Sequence, residues 1–280
     1  MARTGRPPLE AATKARRGTL RPHRERQGKS ERKLSQVPPV QPRDYVGISD
    51  KYAADALNGR SVVSGWTRKA AQRFTAMRTR GEESGCSFFF SAEDASDVCR
   101  FIERCPHVQG RWGAETITLQ PWQIFILVAC FGFRRKADGR RLVTTVFFEV
   151  ARKSAKSTLV AAVALYHLLV EQEPGAQVVC GASTGQQARI VFGVMQRMVR
   201  RSAWLRDQGL LVFANAITYD AIGGNARPIN SKSSTQDGLN PSFVSLDEVA
   251  RADVRAARRA GVGDGRSAGR HDLVPDDGRL

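Results

Sequence analysis

Leu142-Val143-Thr144-Thr145-Val146-Phe147-Phe148-Glu149-Val150, running directly into Ala151-Arg152-Lys153-Ser154-Ala155-Lys156-Ser157-Thr158, is the stretch on which the fold turns. Its first nine residues are β-branched and aromatic with no breaker, the composition of a central parallel strand buried on both faces. The next eight are small, basic and hydroxylated, and Leu159 to Val170 has the Ala, Leu and Val content of a buried helix. Strand, short loop and helix in that order form the setting of a phosphate-binding loop. There, backbone N–H groups at a helix start cradle phosphates, a lysine reaches the β and γ groups, and the next hydroxyl ligates magnesium. Lys156 and Ser157 stand at those two positions. The glycines of the general pattern do not: Val150 occupies the first position and Ala155 the one before the lysine. A methyl group at Ala155 is expected to be tolerated only if that backbone keeps a negative φ.

Downstream, the alternation continues. A strand is expected at Ala176 to Gly181, a long helix from Thr184 to Ser202, short strands at Leu210 to Phe213 and Ala216 to Tyr219, and an apolar strand at Ser242 to Leu246. Strands alternating with helices predict an α/β fold with a largely parallel sheet and helices on both faces. The last strand ends in a second motif, Phe243-Val244-Ser245-Leu246-Asp247-Glu248. Two carboxylates at the end of an apolar strand are the Walker B arrangement. The Asp holds magnesium and the following Glu polarises an attacking water.

Upstream, residues 44–115 read as a helical segment. Tyr52, Leu57 and Val62, then Trp66, Ala70, Phe74 and Met77, recur at helical spacing. Ser91-Ala92-Glu93-Asp94 is a helix start with acids in its first turn, and Pro106 stops that helix. Leu119-Gln120-Pro121-Trp122-Gln123 opens a further apolar helix through Phe131. Residues 1–43 are rich in Arg and Pro and are expected to be a disordered basic arm. The first 45 residues hold 12 of the chain's 44 Lys and Arg against 4 acids, and the chain carries a net charge of +17. That balance points to a polyanionic partner. Residues 251–280 are mostly Arg, Ala, Gly and Asp and are expected to be a disordered or aberrant tail, which leaves 116–250 as an incomplete ATPase core.

Five cysteines with no export signal read as reduced thiols, and Cys99, Cys105 and His107 lack the spacing of a metal site. No apolar run approaches the ~20 residues of a membrane span.

Taken together, Ala151 to Thr158 resembles the A-R-K-x-G-K-S-T deviant Walker A loop of bacteriophage terminase large subunits, from which Ala155 departs. Leu119 to Gln123 resembles the adenine-recognising Q motif of that family. Ser183 to Ile190, Asp237-Gly238-Leu239-Asn240-Pro241 and the opening helices from Asp44 resemble corresponding segments, so the likeness covers residues 44 to 250. The resemblance implies a P-loop NTPase (RecA/ASCE-like) core using ATP and Mg2+. Gln123 would meet the adenine edge, and Arg152, Lys153, Ser154, Ala155, Lys156, Ser157 and Thr158 would surround the phosphates. Ser157 and Asp247 would hold magnesium, and Glu248, Lys156 and Arg152 would take part in catalysis. Implied partners are double-stranded DNA, a terminase small subunit and a portal protein, with a homo-oligomeric ring on the portal and a location in the cytoplasm of the bacterial host. Gly5-Arg6-Pro7-Pro8 and Arg17 to Arg21 resemble the arm of a small subunit. The nuclease half of a large subunit is not expected in this chain. The alternatives are a remnant that binds nucleotide or DNA without turnover, and a P-loop helicase.

Overall fold

The computed structural model describes residues 43–108, 116–151, 153–171, 173–182, 184–230 and 240–247. Helices α1 (Tyr45–Leu57) and α2 (Gly65–Gly81) begin at Asp44 and Ser64, whose side chains accept from the backbone N–H groups of Gly47 and Thr67. Such caps satisfy donors that a helix start leaves without partners. Strand β1 (Phe88–Phe90) leads to α3 (Ala92–Arg104), capped by Ser91 and carrying Glu93 and Asp94 in its first turn. Negative charge there is favoured by the helix dipole. Helix α4 (Pro121–Phe131) follows, and β2 (Phe133–Arg135) pairs antiparallel with β1.

The pairing of β1 with β2 has a plain physical purpose. It brings Phe90 and Phe133 together and onto Phe74 of α2, which in turn meets Phe125 of α4, in edge-to-face contacts with centroids 5.1 to 6.3 Å apart. Edge-to-face packing adds to what burial alone contributes. Glu103, on α3, is the buried carboxylate among the described residues. It accepts from Tyr45 Oη at 2.6 Å and from Leu119 N at 3.0 Å, and it is paired with Arg43, whose guanidinium also donates to Leu119 O. The start of α1, the end of α3 and the approach to α4 therefore meet on one charge.

The second half of the chain builds a five-stranded sheet. Helix α5 (Lys156–Leu169) precedes β3 (Gln177–Ala182), and α6 (Gly185–Arg201) and the short α7 (Ala203–Asp207) follow it. Then come β4 (Leu210–Val212), β5 (Ile217–Tyr219), β6 (Gly224–Asn230) and β7 (Phe243–Asp247). The strand order is β4-β5-β6-β3-β7. Helices α5 and α6 pack on each other and on β3, β6 and β7.

Two expectations are corrected here. The sheet is mixed, not largely parallel: β3 is parallel to β6 and β7, but β4, β5 and β6 pair antiparallel. The connections from β4 to β5 and from β5 to β6 are only residues 213–216 and 220–223, too short for the crossover that parallel neighbours need. The second correction concerns residues 142–150. They form no strand, and Thr144 to Phe147 are exposed, with Phe147 at 81%. β3 has β6 on one side and β7 on the other, so the central place is taken, and β7 has β3 as its single neighbour among the described strands. β-branched composition measures fit to a pleated, packed surface and cannot supply the neighbouring strand.

Strand β6 is not legible in the sequence, since Gly224-Asn225-Ala226-Arg227-Pro228-Ile229-Asn230 lacks alternation and contains a proline. Its place in the sheet explains the proline. β5 pairs only with Gly224 to Ala226, so Pro228 lies where β6 has β3 on one side and no ladder with β5 on the other.

At the junction of α5 with β7, His167 is 3% exposed and stacks on Phe243 with ring centroids 4.5 Å apart. Burial, and then the nearby Arg141 guanidinium, hold its pKa well below the usual 6.5. Below pH 6.5 the unfolded chain takes up a proton that the folded chain refuses, so His167 makes stability fall as pH drops through that value and until its folded pKa is reached. Urea denaturation between pH 7 and pH 5 is expected to show this fall, and His167→Phe, which keeps a ring against Phe243, should flatten it. An unchanged pH slope in His167→Phe would remove His167 as its source.

Candidate nucleotide-binding site

Strands β3 and β7 run parallel and end together, with Ala182 opposite Asp247. The crevice outside the carboxyl ends of parallel strands is where α/β sheets bind ligands. Gly181 permits the close fit of the two strands there, since a Cβ on it would lie 2.8 Å from the Leu246 side chain. Helix α5 runs back along β7: Lys156 at its start meets Asp247 at the strand's end, while His167 meets Phe243 at the strand's beginning. Lys156 Nζ donates to Asp247 Oδ1 at 2.6 Å, across 91 residues of sequence. The lysine side chain is 37% exposed and the aspartate 15%.

Ser157 and Thr158 lie in the first turn of α5, with Ser157 half-buried and Thr158 buried. The backbone N–H groups of that turn have no intrahelical acceptors, and the dipole makes the end of the helix attractive to anions. The loop before it is held in an uncommon shape. Lys153 has φ 67° and Ala155 has φ 56°, both in the left-handed region. The condition under which a methyl group at Ala155 would be tolerated without cost, a negative φ, is therefore not met. The chain turns into α5 through a residue whose Cβ crowds its own carbonyl, at a cost of about 1–2 kcal/mol relative to a right-handed conformation. Glycine at this position would carry no such cost.

The loop is also tied to α4. Phe148 stacks on Trp122 with centroids 6.0 Å apart and planes 29° from parallel. The two motifs around Gln123 and Lys156 are thus joined through the residues just before the loop. That contact was not foreseen, although an aromatic residue in each segment was its visible signal. Gln123 itself is buried, and its Oε1 accepts from Gln120 N at 2.9 Å. That oxygen caps the helix with one of its two lone pairs, so Gln123 has a structural role beside the one expected at an adenine edge.

Arg152 and Glu248 lie outside the described residues. Among the described residues no group of three or more His, Cys, Asp or Glu is placed to hold a metal. Cys99 and Cys105 are buried free thiols whose pKa values are raised by burial, which disfavours the thiolate that metal binding requires. Burial likewise pushes Cys180 up to about 11.

The fold is an α/β one whose parallel strands β3 and β7 end together beside the start of α5. A family model for the terminase large subunit ATPase domain matches residues 121–260, half of the 280-residue chain, and the chain belongs to that family. It is 28% identical over 162 residues to the terminase large subunit of Enterobacteria phage HK97, an alignment covering 54% of this chain and 30% of that protein. It also resembles the crystal structure of the HK97 large terminase in fold, with a TM-score of 0.50 at 24% identity, over 61% of this chain and 36% of that one. The matched region thus spans about a third of the length of these relatives.

Replacing Ala155 by Gly relieves the left-handed cost but frees the unfolded chain, which offsets about 0.4–1 kcal/mol. The net expectation is a gain of about 0.5–1 kcal/mol in unfolding free energy, measured by urea denaturation without nucleotide. A loss of stability in Ala155→Gly would contradict the strained loop.

Proposed function

We propose that this chain is the ATP-binding and hydrolysing portion of a phage DNA-packaging motor, whose complete form drives duplex DNA into a procapsid. The observation that carries this is the Lys156–Asp247 contact at 2.6 Å. It supports pairing the residue types of a phosphate-binding loop and of an acidic strand end in one site.

In this proposal residues 151–158 are the P-loop. The N–H groups at the start of α5 receive phosphate oxygens, and Lys156 turns from Asp247 to the β and γ phosphates. Arg152 and Lys153 add positive charge against the transferred group, with Ser154, Ala155 and Thr158 completing the cradle. Magnesium favours oxygen donors, and the Ser157 hydroxyl and Asp247 carboxylate are of that kind, so the residues present fit the ion. When bound, it would neutralise charge between the phosphates. Glu248, the residue after Asp247, accepts the proton of the attacking water and orients it. The Gln123 amide donates to the base, with Trp122 beside it. Residues 44–115 are an N-terminal helical segment and 116–250 the ATPase core, with residues 1–43 and 251–280 on either side. Double-stranded DNA, a small subunit and a portal are the partners, a ring on the portal the assembly, and the host cytoplasm the place. No residues of this chain are assigned to a nuclease.

One observation favours a second reading, nucleotide binding without turnover. Residues 143–150 lead into the loop without pairing to a strand among the described residues, and a site carried by loop is held less precisely than one carried by regular elements. Two variants separate the possibilities. Lys156→Ala is expected to lose at least tenfold in affinity for Mg-ATP by calorimetric titration, about 1.4 kcal/mol or more. Glu248→Gln should bind Mg-ATP like the unaltered chain and lose steady-state turnover by 100-fold or more, the order expected for a general base. Unchanged binding in Lys156→Ala refutes the site. Binding without turnover in the unaltered chain selects the second reading.

A further inference from the structure

Helix α2 carries a charge pattern that neither its fold nor the nucleotide site uses. Its sequence, Gly65-Trp66-Thr67-Arg68-Lys69-Ala70-Ala71-Gln72-Arg73-Phe74-Thr75-Ala76-Met77-Arg78-Thr79-Arg80-Gly81, contains five basic residues and no acid. Two of the five have partners in other parts of the fold. Arg68 donates to Ala56 O, and Arg78 lies over the Phe90 ring at 3.9 Å and pairs with Asp50. The other three, Lys69, Arg73 and Arg80, are exposed and form no ion pair with a carboxylate among the described residues.

Their positions are not scattered. At 3.6 residues per turn, Trp66, Lys69, Arg73 and Arg80 fall within an arc of roughly 60°, on a stripe about 21 Å long from end to end. The apolar face of α2, formed by Ala71 and Phe74 with Met77 partly buried, is turned to the core, so the stripe is the solvent face. Helix stability does not account for it. Positive charge in the last turn complements the dipole and explains Arg80, but Lys69 and Arg73 lie outside that turn and gain nothing from the dipole. Trp66 is 79% exposed at the head of the stripe, and Lys69 Nζ lies 4.9 Å from its ring centroid. A large apolar ring left in water next to a cation is costly to solvation and suited to contact.

We infer that the solvent face of α2 is a nucleic-acid contact surface, in which Lys69, Arg73 and Arg80 meet successive backbone phosphates and Trp66 packs on the sugar or base edge at one end. A row of cations on a rigid helix, with an aromatic ring in line, matches a regular polyanion with apolar groups between its charges. The carboxylates nearest in sequence, Glu82 and Glu83, lie past the end of the helix and leave the stripe uniformly positive. The inference deepens the proposed motor function by naming where this portion touches DNA, and it rests on that proposal for its partner being duplex. The contact carries no sequence information, because phosphates are the same at every step.

The test uses the full chain and the variant Lys69→Gln/Arg73→Gln/Arg80→Gln, since glutamine is about as good a helix former as the residues it replaces. Circular dichroism and Mg-ATP titration establish that the variant is folded and keeps its nucleotide site. Affinity for a labelled duplex of mixed sequence is then measured by fluorescence anisotropy between 50 and 200 mM salt, with a single strand as the second arm. Each lost duplex phosphate contact lowers the slope of log affinity against log salt by about 0.9, so three contacts lower it by about 2.7. Over a fourfold rise in salt, the unaltered chain should then lose about 40-fold more affinity than the variant. A change of about 0.7 per contact seen on the single strand alone would assign the surface to unpaired nucleic acid instead of duplex. Equal slopes on both probes overturn the inference and leave the stripe to an acidic protein surface. Because Mg-ATP binding is measured on the same preparations, a failure of the α2 surface is distinct from a failure of the nucleotide site.

Discussion

The ion pair between Lys156 and Asp247 is the constraint around which the second half of this protein is organised. It joins the first residue of α5 to the last residue of β7, elements separated by two helices and four strands in the chain. Its lysine end is half-exposed while its carboxylate is largely sheltered, so the attraction is less screened than at an open surface. His167 on Phe243 makes the same connection at the far end. Held at both ends, α5 must lie along β7, and the loop before it must open at the carboxyl edge of the sheet.

The same constraint explains the strain in the loop. To bring Lys156 over Asp247, the chain turns at Lys153 and Ala155 through left-handed conformations. A side chain at each of these positions costs energy that glycine would not, and such strain collects where a surrounding structure over-determines the backbone. Upstream, Trp122 against Phe148 fixes the approach to the loop, and the Glu103 cluster fixes the approach to Trp122 through Leu119. The aromatic half and the sheet half are therefore coupled through the segment that carries the candidate phosphate ligands. Lys156 also has two claims on it: in the structure it neutralises Asp247, and in the proposed complex it would neutralise phosphate, leaving the carboxylate free to hold a cation.

Much of this was legible in the sequence because the informative residues act locally. Ser91, legible as a helix start from the acids that follow it, caps α3 by accepting from the Asp94 N–H three residues on, and short-range chemistry of that kind reads directly from order. The apolar runs of β3 and β7 were also visible as strand composition, whereas the contact between Lys156 and Asp247 was not. What was hidden depends on neighbours. Residues 143–150 have strand composition but pair with no strand among the described residues, whereas β6, with Pro228 and no alternation, has β3 to pair with. Three-residue strands such as β1 and β2 carry too little pattern to read, and their pairing follows from the aromatic cluster they complete. At the candidate site, the capping role of Gln123 Oε1 was concealed because one side chain fits both a helix start and a base edge. The φ of Ala155 was concealed because composition does not reveal handedness.

The central claim, that Lys156 and Asp247 hold α5 to β7 in the nucleotide-free protein, is tested most directly by a double-mutant cycle. Unfolding free energies in urea would be measured without nucleotide for the unaltered chain, Lys156→Met, Asp247→Asn and the double variant. A pair in direct contact should give a coupling energy above about 0.5 kcal/mol, with the double variant less destabilised than the sum of the single ones. Additivity within about 0.3 kcal/mol would mean that the two residues do not act on each other, and the organisation described for the site would have to be abandoned.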